Sequence, residues 1–83
     1  MAQLKRAYFD IVASMLQVLL EESCLKTQLA SKASLDFRAT QRYVSLLIKN
    51  DLAFLSQSNE VSITPKGRKF LEEYKNLRTY LEQ

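Results

Sequence analysis

Arg38, Gln41, Arg42 and Ser45 recur at steps of three, one and three, so a helix of about 3.6 residues per turn carries all four on one face. A guanidinium fork bridges two acceptors at once, and a carboxamide donates and accepts side by side. Such a set matches planar polar edges and anions; it does not make or break bonds, because no nucleophile here has a base beside it. Cations surround it. Residues 26–49 carry a net +4 through Lys26, Lys32, Arg38, Arg42 and Lys49 against Asp36, and Lys66, Arg68 and Lys69 add a second cluster. The whole chain is only +3, so the positive charge is concentrated rather than spread.

The remaining residue types exclude much chemistry. The 83 residues contain no histidine, one cysteine and one glycine. One chain therefore cannot assemble a zinc site, a histidine-dependent catalytic group, an internal disulfide or a glycine-rich phosphate loop. Asp36 and Asp51 sit at cap and turn positions, and Glu21-Glu22 and Glu72-Glu73 fall on helix surfaces. No enzyme, cofactor, metal or small-molecule ligand is expected. With 47% apolar and 25% charged residues the chain reads as one globular domain, close to the size at which a second subunit helps stability. No apolar run approaches the roughly 20 residues of a membrane span, and no leader pattern opens the sequence, so a cytoplasmic protein is expected.

The elements that must position these side chains follow from periodicity. Leu4, Tyr8, Ile11, Val12, Met15, Leu16, Leu19 and Leu20 form an apolar stripe and predict a helix over about 4–21. A short helix follows at about 26–33, burying Leu25, Leu29 and Ala30. Asp36 caps a third helix over about 37–50, with Thr40, Tyr43, Val44, Leu47 and Ile48 inward and Arg38, Ala39, Gln41, Arg42, Ser45 and Lys49 outward. Alternation around a turn at Gln57-Ser58-Asn59 predicts a two-stranded hairpin within 53–64. Thr64-Pro65 is a helix start, cap followed by first position, and opens a last helix over about 65–82.

This order, α-α-α-β-β-α in a mainly helical chain with a small hairpin, is that of a winged helix-turn-helix domain, whose third helix enters the major groove of DNA. The sequence also resembles the archaeal winged helix-turn-helix regulators, the small ArnR-like proteins of the Sulfolobus type. The resemblance rests on Lys26-Thr27, on Leu35, Phe37, Tyr43, Val44, Leu47 and Leu52, and above all on the run from Thr64 to Leu71 with Tyr74 and Leu77. Where those relatives place a glycine before the wing, this chain has Asn50-Asp51, which can also adopt a left-handed turn.

The resemblance implies double-stranded DNA as partner and transcriptional regulation or nucleoid association as function. It implies base reading by Arg38, Gln41, Arg42 and Ser45, since arginine bridges guanine acceptors and glutamine pairs with adenine. Lys26, Thr27, Lys32 and Lys49 are expected at phosphates, and Lys66, Arg68 and Lys69 at a flanking phosphate. The hairpin tip carries no cation and Glu60 is acidic, so a wing without arginine insertion is expected. Phe70, Tyr74, Leu77 and Leu81 follow a 4-3-4 spacing, a coiled-coil seam. With Tyr80 they are expected to join two copies of the chain through the last helix. Phe37, Tyr43 and Tyr74 are expected in the core, and Cys24 as a small buried apolar residue. The competing readings are a winged-helix module that binds protein and a nonspecific nucleoid protein.

Overall fold

The structure, a computed structural model, describes residues 2–81, with side chains for residues 8–80. Four helices and three short strands follow in the order α1 (Ala2–Glu21), β1 (Cys24–Leu25), α2 (Lys26–Lys32), α3 (Phe37–Lys49), β2 (Ala53–Leu55), β3 (Glu60–Ile63) and α4 (Pro65–Leu81). This is the winged helix architecture expected from the order of elements, with one addition. Instead of a two-stranded hairpin there is a three-stranded antiparallel sheet ordered β1-β3-β2. Cys24 pairs with Val61 and Leu25 with Glu60, so the segment after α1, where the helical pattern is lost, is held by the wing.

Val12, Ala13, Met15, Leu16 and Leu19 of α1 are buried against Leu29 of α2, Val44 and Leu47 of α3, Ala53 and Val61 of the sheet and Leu71 of α4. The stripe of α1 is narrower than its pattern: Tyr8 and Leu20 are each more than a third exposed. Leu4 lies outside the described side chains, as does Leu81. Thr40, fully buried within the α3 stripe, is satisfied because its hydroxyl donates to the Asp36 carbonyl at 2.9 Å.

Both helices of the helix-turn-helix end in the same way. At the end of α2 the Ser34 amide donates to Ser31 O and the Leu35 amide to Ala30 O. At the end of α3 the Asp51 amide donates to Ile48 O and the Leu52 amide to Leu47 O. These paired bonds form Schellman motifs, and they place Ser34 at φ 58° and Asp51 at φ 62°, the left-handed region that glycine usually fills. The wing turns on a third such residue, Asn59 at φ 65°, with its amide donating to Ser56 O.

The start of α4 is locked to the end of α3. The Thr64 hydroxyl accepts from the Gly67 amide at 2.9 Å and donates to the Asp51 carbonyl at 2.6 Å. Gly67 is buried so tightly that an added Cβ would stand 2.2 Å from the Leu52 carbonyl oxygen and 2.8 Å from Ile63 Cγ1. The chain's one glycine is there for close approach, not for a turn.

Candidate nucleic-acid interface

α3 is the element on which the candidate residues converge. Asp36 accepts from the Ala39 amide through Oδ1 at 2.7 Å and so caps its first turn. Thr40, Val44 and Leu47 bury the opposite side. That anchoring leaves Arg38, Gln41, Arg42, Ser45 and Lys49 exposed on one surface. Among the described residues none of these five side chains forms a hydrogen bond or ion pair, and α3 itself contains no acidic residue. A row of uncommitted donors is ready for an external partner.

The cations around α2 are less uniform. Thr27 is exposed and Lys26 half-buried at the start of this short helix. Lys32, expected at a phosphate, instead places its ammonium 2.6 Å from a carboxylate oxygen of Glu22. The pair lowers the pKa of Glu22 and raises that of Lys32, in each case first through their hydrogen bond. Ten residues of separation hid this contact; the α1–α2 corner closes it.

Lys66, Arg68 and Lys69 are exposed at the start of α4. Arg68 and Lys69 line an open cleft of about 490 Å³ with Leu20, Pro65, Leu71, Glu72 and Lys75. No α3 residue lines it.

The 4-3-4 seam of α4 divides. Phe70 and Tyr74 pack against the core. The Phe70 ring lies 6.5 Å from that of Phe9, and the Tyr74 hydroxyl donates to the Asp10 carboxylate. Leu77 and Tyr80 remain 56% and 79% exposed. Leu81 falls outside the described side chains.

Cys24 is buried, and burial raises its thiol pKa, which keeps it protonated and unreactive. Tyr43 and Tyr74 are half-buried against the core as expected. Phe37 is not: it is 43% exposed at the first position of α3. Ile48 likewise leaves the buried stripe, at 39%. Both stand at the margin of the apolar face, where periodicity alone does not show whether a neighbour covers them.

The sequence profile of the winged helix-turn-helix family matches residues 5–82. The chain belongs to that family. Its winged helix fold is similar to that of ZitR from Lactococcus lactis, at 22% identity and a TM-score of 0.69 over 87% of this chain. A single-residue variant of ZitR gives a TM-score of 0.66 at the same identity and coverage. This winged helix spans only 55% and 57% of the length of those two chains. No curated protein sequence matches it.

Proposed function

We propose that this winged helix-turn-helix protein binds double-stranded DNA through the exposed face of α3 and acts as a transcriptional regulator, as a homodimer. The observation that carries the reading is the uncommitted row Arg38, Gln41, Arg42, Ser45 and Lys49 on a helix whose other face is fixed in the core. A major groove about 12 Å wide admits one such helix, and the arginines and Gln41 have the geometry to discriminate guanine and adenine edges. Lys49, Lys26 and Thr27 serve phosphates, which orient without reading sequence. Lys66, Arg68 and Lys69 supply attraction to flanking backbone only, and Lys32 contributes little while Glu22 holds it. The family resemblance of the run from Thr64 to Leu71 adds an archaeal kinship to this proposal, and a nucleoid location follows from DNA binding.

The dimer rests on the distal half of α4. Leu77 and Tyr80 expose large apolar surface, and self-pairing of this helix removes it from water while setting two reading helices on one side of the duplex.

The test is fluorescence anisotropy of a labelled mixed-sequence duplex titrated at several salt concentrations. Binding that weakens steeply with salt, as counterion release requires, supports the proposal. Absence of binding at low salt overturns it in favour of a protein-binding module.

A further inference from the structure

Phe37 occupies a position that the core does not explain. Leu35, two residues earlier, packs against the core, and Tyr43, Val44 and Leu47 continue the inward stripe of α3. Phe37 is not among the side chains packed there, and among the described residues its ring makes no aromatic contact. It opens α3 directly after the Asp36 cap. At about 100° per residue it lies about 40° around the helix from Gln41 and about 20° from Ile48, which is also exposed. One margin of the polar face of α3 is therefore apolar, and its largest member stands at the N-terminal end.

That end of a helix-turn-helix reading helix meets base edges. The apolar group that a major groove offers there is the 5-methyl of thymine, and phenylalanine is one of the side chains that can contact it. Gln41, one turn further along the same margin, has the carboxamide that pairs with the N6 and N7 positions of adenine, the partner base of thymine. We propose that Phe37 reads a thymine 5-methyl group, so that α3 selects an A·T pair at this position by burying a methyl as well as by hydrogen bonding. The inference rests on the DNA-binding reading above.

The test separates the two. The tightest-binding duplex is selected from a randomised pool and resynthesised with deoxyuridine replacing one thymine at a time, which removes a methyl and leaves every hydrogen-bonding edge intact. Its cytosines are unmethylated, so thymine is the source of every 5-methyl group present. One position is expected to lose about fourfold in affinity, the worth of one buried methyl. Phe37→Ala is expected to bind the thymine and deoxyuridine versions of that duplex equally, and Phe37→Leu to retain part of the preference. Thermal unfolding confirms that both variants fold. If no single replacement weakens binding, or if Phe37→Ala keeps the full preference, the methyl-reading role is overturned while DNA binding stands. If the unmodified protein shows no salt-dependent binding to any duplex, the underlying reading fails with it.

Discussion

α3 and the start of α4 carry similar cations but are held differently. α3 buries Thr40, Val44 and Leu47 and leaves Arg38, Arg42 and Lys49 exposed. α4 begins with Gly67 wedged against the Leu52 carbonyl, and its Arg68 and Lys69 border a cleft shared with Leu20. In sequence both are basic clusters beside a capped helix start. The difference is what the opposite face is fastened to: in α3 the anchored side leaves a continuous polar face, whereas in α4 the anchored turn joins the end of α3 to the wing and the cations are incidental to that joint. Position of charge, rather than amount, is what separates the proposed reading surface of α3 from the cluster on α4.

The sharpest way to break this comparison is Gly67→Ala. A methyl at 2.2 Å from a backbone oxygen cannot be accommodated by a rotamer change, so α4 must shift away from Leu52 and weaken the Thr64 bonds to Asp51 and Gly67. A loss of about 3 kcal/mol or more is expected, read as a lower midpoint in urea unfolding. An unchanged midpoint means that α4 is not locked as described.

Leu77→Glu addresses the free half of α4. An unpaired carboxylate in an apolar interface is strongly disfavoured, so sedimentation is expected to show a dimer for the unmodified chain and a monomer for the variant. A monomer in both cases removes the dimer from the proposal.

The two clusters themselves are compared by Arg42→Ala and Arg68→Ala. Loss of Arg42 is expected to cost about 1–3 kcal/mol on the selected duplex and to relax base preference at one position. Loss of Arg68 is expected to weaken all duplexes alike and to reduce the salt slope by about 1. If both variants lose affinity uniformly, α3 binds without reading.

Periodicity carried α1, α3 and α4, whose apolar stripes are long enough to show a period, and the caps at Asp36 and Thr64 marked two of their starts; α2, seven residues with only Leu29 and Ala30 buried, was the least periodic of the four. The strand β1 was not legible: two residues display no alternation, and their pairing with Val61 and Glu60 is made only when the chain returns 35 residues or more later. The same limit hid the Lys32–Glu22 pair and the exposure of Phe37. Whether Phe37 joins the core depends on which element reaches the margin of α3, a tertiary fact that no helical projection contains. The grouping of Arg38, Gln41, Arg42 and Ser45 was legible because it is local, within a single helix.

The smallest expected effect tests the turns that orient α3. Ser34 and Asp51 hold left-handed conformations that cost an L-residue about 1–2 kcal/mol relative to glycine. Glycine also gains freedom in the unfolded chain, which offsets part of that advantage. Ser34 is exposed and its side chain makes no hydrogen bond among the described residues, while its amide and that of Leu35 close α2 on Ser31 and Ala30. Ser34→Gly therefore removes strain and no contact, and it is expected to stabilise the fold by about 0.5–1 kcal/mol, raising the melting temperature by about 2–8 °C. Because the turn geometry is unchanged, the angle between α2 and α3 is kept and affinity for the selected duplex is expected to stay the same. A more stable protein with weakened binding would show that the stiffness of this turn, beyond its shape, positions the reading helix; a less stable one would show that Ser34 is not strained.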